Sequence, residues 1–306
     1  MNDLVRALAD SVESVIKGKR DVVKYSIVAL LAKGHLLIED VPGVGKTTLA
    51  FSLAKAIDCD FHRIQFTSDL LPSDIIGVNI YNPETREFEF RNGPLFSNIV
   101  LADEINRTSP KTQSALLEAM SERRVTVERR TIKLAEPFMV IATENPIEYH
   151  GTFPLPESQM DRFMMHVKIG YPDIENEKLA IVEMKGFDDI EMMEHVLTKN
   201  DILRMQSEVA QIRSDPDIVQ YILSIANETR KHDKIRLGVS TRGAQFLMRA
   251  SQSLAYVNGR DYVIPEDVKE LAPFILGHRI ILKSRTYISD ADDLIRDIVE
   301  NVAVPL

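Results

Sequence analysis

The 306-residue chain lacks several features that mark other classes of protein. It has a single cysteine, Cys59, so no internal disulfide framework can form. The longest early apolar run, residues 27–32, is far shorter than the roughly 20 residues that a membrane-spanning helix needs. Residues 1–18 carry acidic side chains where a secretory signal has a basic start and an unbroken apolar stretch. We therefore expect a soluble cytoplasmic protein with no membrane insertion.

Basic residues are also outnumbered. The chain has 46 acidic and 37 basic residues, a net charge of -9, which disfavours diffuse electrostatic capture of nucleic acid or of an anionic membrane. The seven histidines show no metal-ligand spacing such as H-E-x-x-H. Neither a G-x-S-x-G nucleophile elbow nor a G-x-G-x-x-G dinucleotide fingerprint is present. The sequence thus gives no support to a zinc enzyme, an α/β hydrolase or a dinucleotide enzyme.

What the sequence does contain is enough apolar material, 44% of residues, for a substantial core. The first half alternates helical periodicity with continuous apolar runs at 36–38, 99–102 and 138–142, which is typical of buried strands in a parallel α/β sheet. Polar or glycine-containing sequence follows each run. Because ligands of such sheets bind beyond the carboxyl ends of the strands, we expect these three ends to meet at one site.

The second half has mainly helical periodicity. We predict an α/β domain over 1–172 and a second, helical domain over 173–306. Its expected helices include one from Pro216 that buries Ile218, Val219 and Ile222, and others over 241–255 and 265–275. A last helix is expected to run to Val299 from Asp290, a good N-cap residue.

A glycine-containing segment between a predicted strand and a predicted helix has the setting of a phosphate-binding P-loop. Glycines let successive N–H groups turn toward phosphate oxygens, and Lys46 is expected to reach the β- and γ-phosphates of ATP while Thr47 binds Mg²⁺. Asp40 stands where the first glycine is usual. Aspartate is one of the few other residues that tolerate a left-handed backbone, so the replacement is compatible with a P-loop. An ordinary glycine-rich turn is the alternative. The expected ATP-binding residues are Pro42, Gly43, Val44, Gly45, Lys46, Thr47 and Thr48.

Two further strand ends carry candidate catalytic groups. Asp103 and Glu104 follow the second apolar run, and beside a P-loop Asp103 is expected to organise Mg²⁺ and Glu104 to activate the attacking water. A solvated loop start would account for the same pair. The amide of Asn145, after the third run, can hydrogen-bond the water or the γ-phosphate, although an Asn-Pro turn explains Asn145 and Pro146 equally well.

In their order and spacing, these motifs resemble the MoxR-type ATPases of the AAA+ superfamily. The similarity extends from about Val15 to His278. It is carried by the segments at 39–47, 66–74, 93–96, 101–107, 142–146 and 157–163. The resemblance implies a P-loop AAA+ parallel-sheet ATPase domain followed by an all-α lid domain, and a homo-oligomeric, hexameric ring with ATP at each subunit junction.

The resemblance also implies roles for single residues. Asn145 becomes a sensor residue, and Arg162 an arginine finger that reaches the neighbouring subunit's ATP, with a surface ion pair to Asp161 as the alternative. Arg242 is similar to the second sensor, a lid arginine that contacts the γ-phosphate in its own subunit, although Thr241 stands where the family often has proline.

A segment before the P-loop is similar to the part of the family that packs on adenine. Its residues are Val15, Ile16 and Gly18, and a simple helix end is the alternative. Arg107 matches an arginine near the family's subunit interface, yet a salt bridge would explain it too.

Two hairpins are expected to contact the partner rather than ATP. One, about 78–92, corresponds to the family's insert in helix 2, and the other spans about 123–134. The second hairpin has four arginines, but interleaved glutamates and the absence of stacking aromatics argue against nucleic acid. Those arginines are Arg123, Arg124, Arg129 and Arg130, and the glutamates are Glu122 and Glu128.

The combined expectation is Mg²⁺-dependent ATP hydrolysis that remodels or matures a partner protein. The resemblance alone supplies the chaperone role and suggests partners with von Willebrand factor A domains. Two alternatives remain: a scaffold that works by binding ATP without turnover, and an ATPase that remodels DNA or RNA.

Overall fold

A computed structural model of the chain describes residues 2–127, 130–145, 152–183, 187–284 and 288–304. Up to residue 167 the chain alternates helices and strands, with short 3-10 turns at Pro94–Phe96 and Ile105–Arg107. The elements are α1 (Asp3–Glu13), α2 (Arg20–Leu31), β1 (Leu36–Glu39), α3 (Lys46–Ala56), β2 (Phe61–Gln65), α4 (Pro72–Ile76), β3 (Gly77–Asn82), β4 (Glu87–Asn92), β5 (Ile99–Asp103), α5 (Pro110–Glu122), β6 (Arg124–Val127), β7 (Arg130–Lys133), β8 (Met139–Glu144), α6 (Glu157–Met160) and β9 (Met165–Val167).

The remainder of the chain is mostly helical. Within the described residues, none of its helices or of the earlier ones is both long enough and apolar enough for a membrane crossing. The elements are α7 (Ile174–Glu183), α8 (Phe187–Glu191), α9 (Lys199–Val209), α10 (Pro216–Lys231), β10 (Ile235–Leu237), α11 (Thr241–Val257), α12 (Pro265–Leu276), β11 (Ile281–Leu282) and α13 (Ile288–Asn301).

A five-stranded parallel sheet forms the centre of the first part, in the order β2-β5-β8-β1-β9. The three apolar runs in the sequence are its three central strands, and residues 99–103 of β5 are buried throughout. A continuous apolar run suits a strand that helices cover on both faces. The predicted α/β class with a parallel sheet and a helical second part is therefore confirmed.

Helix α2 connects the two parts of the molecule. Its residues 26–31 are buried between the sheet and the helical part. The amide of Gln206 on α9 donates to the carbonyl of Leu30 over 2.8 Å, and the hydroxyl of Ser253 on α11 donates to the carbonyl of Val28 over 2.9 Å. These buried polar groups are satisfied across the junction, which favours one arrangement of the packed helices.

The helical part differs from the sequence-based expectation in three details. Val219 is exposed, because the buried face of α10 runs through Ile218, Ile222 and Ile225, and Val219 lies about 100° around the helix from Ile218. Asp290 is not the N-cap of α13, which begins at Ile288; it lies in the first turn, where a carboxylate favours the helix dipole. The antiparallel pair β10–β11 was not predicted, since strands of three and two residues show no periodicity.

Two antiparallel hairpins extend from the first part. In β3–β4, Gly77 is opposite Asn92 and Tyr81 is opposite Phe88. The Tyr81 and Phe88 rings meet edge-on with centroids 5.5 Å apart, and Phe88 is 68% exposed. In β6–β7, Val125 is opposite Ile132. Glu128 and Arg129 of this second hairpin, and Pro146 after β8, lie outside the described residues.

Candidate functional site

The glycine-containing loop joins β1 to α3. Gly43 and Gly45 have φ angles of 87° and 94°, a left-handed conformation that strains any other residue. A Cβ atom on Gly45 would also lie 3.4 Å from Cδ1 of Ile16. Helix α3 begins at Lys46, so its first unpaired N–H groups lie at the loop. The loop therefore has the conformation and helix end that bind phosphate.

Asp40 has a different role from the one expected, because it is not among the residues with positive φ. Its Oδ1 accepts from the N–H of Val41 over 2.8 Å, and its Oδ2 accepts from the N–H of Gly170 over 2.5 Å. Its carbonyl accepts from Nζ of Lys46 over 2.6 Å. The carboxylate of Asp40 thus links the phosphate loop to the segment that follows β9.

A cavity of 340 Å³ opens over the loop and the neighbouring strand ends. It brings Lys46 and Thr47 together with Asp103 and Glu104, as expected if the strand ends share one ligand. Burial lowers the pKa of Lys46, and the carboxylates of Asp103, Asp40 and Glu104 oppose that effect. The lining residues are Pro42, Gly43, Gly45, Lys46, Thr47, Thr48, Arg63, Gln65, Asp103 and Glu104.

Both oxygens of the Asp103 carboxylate are hydrogen-bonded. The hydroxyl of Thr143 on β8 donates to Oδ1 over 2.6 Å. The guanidinium of Arg63 on β2 donates to Oδ2 from Nη2 over 2.6 Å and from Nε over 3.1 Å. The carboxylate is thus held between its two neighbouring strands, in the cavity.

Glu104 is the next residue and has a strained backbone, with φ 58° and ψ 50°. Its N–H donates to the Thr143 hydroxyl over 2.8 Å. Its Oε2 accepts from the Gln65 side-chain amide over 2.8 Å and lies 3.2 Å from Nε of Arg107. The salt bridge considered for Arg107 is therefore present.

Arg63, Gln65 and Thr143 were not predicted to belong to the site. Arg63 and Gln65 lie on the edge strand β2, whose largely polar sequence does not resemble a buried strand. The spacing of Arg63 and Gln65 could have indicated that both side chains face the site. Residues two apart on a strand face the same side, and Gln65 is opposite Asp103 in register. Thr143 stands in a motif that carries the family resemblance, but no role had been assigned to it.

Asn145 is buried directly after β8 and is not one of the cavity-lining residues. It follows Glu144, which is opposite Glu39 of β1 in register. The N–H of Asp40 also donates to the Glu144 carbonyl over 3.2 Å. Asn145 thus lies beside the start of the phosphate loop, and its sensor role stays a prediction.

Arg162 and Arg242 also lie outside the set that lines the cavity. Nη1 of Arg162 donates to the carbonyl of Leu117 over 3.0 Å and to the hydroxyl of Ser121 over 2.5 Å, both on α5. Nη1 of Arg242 lies 3.6 Å from Oδ2 of Asp161. Their roles toward phosphate stay predictions.

The segment expected near adenine lies between the loop and α7. Ile16 is buried against Gly45, and Val15 is half-buried. Gly18 has a φ of 68°, and a Cβ there would lie 2.6 Å from Nδ2 of Asn176 on α7. The contact between Ile16 and the loop agrees with a base-binding position, which stays a prediction for all three residues.

Two carboxyl groups adjoin the loop beneath the cavity. Oε2 of Glu39 lies 3.1 Å from Nε2 of His166 on β9. Burial raises the pKa of Glu144 to about 7, with nearby Glu39 adding to the shift and His166 opposing it. Glu144 is therefore partly protonated near neutral pH.

The oxygen donors in the cavity suit Mg²⁺, which prefers carboxylates, phosphates and water. Asp103 supplies a carboxylate and Thr47 a hydroxyl. No group of three or more His, Cys, Asp or Glu side chains that could hold a metal exists among the residues the structure describes. A bound Mg²⁺ would therefore take most of its ligands from the nucleotide and from water.

Comparison with known proteins relates this site to a family. Residues 35–165 match the "ATPase family associated with various cellular activities (AAA)", and residues 227–298 match the AAA lid domain. YeaC of Bacillus subtilis is 51% identical over 100% of this chain and 96% of its own length. Chaperone MoxR1 of Mycobacterium tuberculosis is 42% identical over 98% of this chain and 81% of its own length.

A solved structure has the same fold over nearly its whole length. This crystal structure of a candidate ATPase from Cytophaga hutchinsonii has a TM-score of 0.90 and 40% sequence identity. The similarity covers 99% of this chain and 96% of the other. The two parts described above are thus present together, in the same order, in a related protein.

Proposed function

This chain belongs to the MoxR-type ATPases of the AAA+ superfamily, and from that premise we propose that it hydrolyses Mg²⁺-bound ATP to remodel or mature a partner protein. One observation carries the proposal: Lys46, Thr47, Asp103 and Glu104 line a single cavity at the ends of β1 and β5. These side chains supply a cation, a hydroxyl and two carboxylates, the groups that phosphoryl transfer to water requires.

In the proposed reaction, Lys46 and the loop N–H groups bind the phosphates, and Thr47 and Asp103 would hold Mg²⁺. Mg²⁺ held there would neutralise charge on the phosphate oxygens. Glu104 orients a water molecule and accepts its proton. The hydrogen bond from Gln65 and the strained backbone of Glu104 set the direction of that carboxylate before substrate arrives.

We assign Arg162 to the neighbouring subunit's ATP at the junctions of a hexameric ring, and Arg242 to the γ-phosphate of ATP in its own subunit. Arg162 is held on α5, outside the cavity that Lys46 lines, which supports action on a neighbouring subunit's ATP. Arg242 lies close to Asp161, the residue before Arg162. Loss of the γ-phosphate would release these arginines and so change the contact between subunits.

A protein is the proposed partner, since the Mycobacterium tuberculosis relative is named a chaperone. We extend this to partners with von Willebrand factor A domains. The hairpin β3–β4 offers a contact surface, because the aromatic pair Tyr81–Phe88 at its end is exposed. A cytoplasmic location fits an ATP-dependent activity of this kind.

Substitution Glu104→Gln tests hydrolysis separately from binding. The amide keeps the size and hydrogen-bonding reach of the carboxylate but does not accept the proton, so turnover should fall by roughly 10²–10⁴-fold with ATP affinity nearly unchanged. Steady-state phosphate release and equilibrium binding of a fluorescent ATP analogue measure the two. If partner maturation survives in this variant, the protein is an ATP-dependent scaffold instead.

A nucleic-acid substrate would contradict the proposal. Two arginines of the 123–134 hairpin are already engaged: Arg123 donates to the carbonyl of Lys33 over 2.8 Å, and Arg124 pairs with Glu122 at 3.0 Å. We therefore expect DNA and RNA to leave the ATPase rate unchanged. Stimulation that falls steeply with rising salt would favour a nucleic-acid remodeller.

A further inference from the structure

We propose that Arg63 is a displaceable counter-ion of Asp103, and that Mg²⁺-bound nucleotide must take its place at that carboxylate. The inference rests on the proposed function and adds a positioning residue to its site. Arg63, on the edge strand β2, thereby influences the Mg²⁺ concentration at which the protein binds metal-bound ATP.

Arg63 and an incoming cation would compete for one oxygen of the Asp103 carboxylate. Both hydrogen bonds from Arg63 end on Oδ2 of Asp103, over 2.6 Å and 3.1 Å. Oδ1 is occupied by the neutral hydroxyl of Thr143 over 2.6 Å, from the other side. A cation that approaches from the cavity therefore meets a carboxylate whose charge is already balanced by a guanidinium.

Arg63 is the member of the pair that can move into water. Its side chain is 44% exposed, whereas that of Asp103 is 11% exposed, so the guanidinium faces solvent and the carboxylate does not. Water can hydrate the guanidinium when it leaves, which lowers the cost of breaking the contact on the Arg63 side. The same Nη2 atom also donates to Oε1 of Gln65 over 3.0 Å, which offers the guanidinium a second acceptor when it leaves Asp103.

The charges of the cavity explain why a counter-ion is needed without nucleotide. Asp103 and Glu104 are adjacent carboxylates, and their like charges repel each other. Arg63 balances the first, and Arg107, 3.2 Å from Oε2, balances the second. Mg²⁺ bound with the nucleotide would supply a second cation at Asp103, and the charge of Arg63 would no longer be needed there.

The test is the Mg²⁺ concentration that half-saturates binding of a non-hydrolysable fluorescent ATP analogue. Arg63→Met removes the charge but keeps an apolar chain of similar length, and should lower that concentration roughly three- to tenfold. Arg63→Lys keeps a cation and should stay near the wild-type value. Arg107→Met is the matched control: it frees Glu104 rather than Asp103 and should change the value by less than twofold.

A companion titration in EDTA measures binding of the same analogue without metal, which Arg63→Met should leave unchanged. A loss of metal-free binding would show that Arg63 holds phosphate instead, and an unchanged Mg²⁺ requirement would show that it does not compete; either overturns the inference. An equal decrease in Arg107→Met would assign the effect to the overall charge of the cavity and overturn it too. If the wild-type chain bound no nucleotide at any Mg²⁺ concentration, the proposed function itself would fail.

Discussion

Two carboxyl groups that lie side by side in the sheet differ in how they are neutralised. Oε2 of Glu39 on β1 lies 3.1 Å from Nε2 of His166, and although burial opposes the shift, this neighbour holds the pKa of Glu39 below its ordinary value. Glu144 of β8, opposite Glu39 in register, has a buried Oε1 without a hydrogen-bond partner in the described part of the chain. Burial therefore raises its pKa to about 7.

The raised pKa predicts how stability depends on pH. The folded chain keeps a proton on Glu144 that the unfolded chain releases above its ordinary pKa of 4.5, so folding loses stability as pH rises from 4.5 to about 7 and the cost is constant above that. The amide in Glu144→Gln resembles the protonated acid. It should match wild type near pH 5 and exceed it by on the order of 2 kcal/mol at pH 8.

Urea unfolding of both proteins without nucleotide, at several pH values between 5 and 8.5, measures this difference. Glu118→Gln, on the exposed surface of α5, is a control that should show no pH-dependent gain. A gain for Glu144→Gln that is equal at every pH would instead indicate better packing and not the titration of a buried acid.

At this scale the sequence predicted the residues whose spacing is local. Lys46 and Thr47 follow two required glycines, and Asp103 and Glu104 end a buried strand, so their proximity could be expected from strand ends alone. Arg63 could not be predicted in the same way. Its partner is 40 residues away, and only the pairing of β2 with β5 brings the two together.

At the scale of elements, the junction between the sheet and the helical part depends on Asp161, which lies between α6 and β9. Nε of Arg279, after α12, donates to its Oδ1 over 2.8 Å. Arg279 also donates to the carbonyls of Asp161, Phe163, Met164 and Ile275, and its side chain is 1% exposed. Arg242 of α11 approaches the same carboxylate at 3.6 Å with a side chain that is 50% exposed.

The two arginines should therefore respond differently to the same substitution. Arg279→Lys keeps a charge but loses the forked donors, and leaves buried carbonyls unpaired, so it should lower the melting temperature by roughly 5–10 °C. Arg242→Lys should change it by less than about 2 °C, because its pair is exposed. Differential scanning calorimetry of the nucleotide-free proteins measures both; equal losses would mean that Arg279 does not hold the junction.

The same junction shows the limit of periodicity as a guide to elements. The helices of the second part were predicted because apolar residues recur on one face, as they do in α10 through Ile218, Ile222 and Ile225. Arg279 lies in a 3-10 turn that follows α12 and has no such pattern. This buried arginine donates to one carboxylate and four carbonyl groups, so its role depends on where those groups lie in the folded chain. A sequence pattern does not show those positions.

At the scale of the whole molecule, a ring with shared sites predicts that two inactive variants restore each other. Arg162→Ala leaves the phosphate cavity intact, and Glu104→Gln leaves Arg162 intact. In randomly mixed rings about a quarter of the junctions would combine an intact cavity with a neighbour's intact Arg162, so turnover should return to about that fraction. Phosphate release from a mixture refolded or exchanged together, compared with each variant alone, measures this.

If the mixture is as inactive as its components although mixed oligomers form in native mass spectrometry, Arg162 acts within its own subunit.

The fold class was predictable at this scale because motif order, strand runs and helical periodicity all pointed to one architecture. The predicted ring rests on the family resemblance alone, since a single chain contains only half of each contact with its neighbours.

The hydrogen bond between Asp40 and Gly170 joins positions 130 residues apart. Asp40 accepts from the Lys46 ammonium through its carbonyl and from Gly170 through its carboxylate. A phosphate that drew the ammonium away from this carbonyl would remove one of the hydrogen bonds that hold Asp40. Asp40 therefore joins the phosphate-contacting lysine to the segment in which the chain leaves the sheet for its helices.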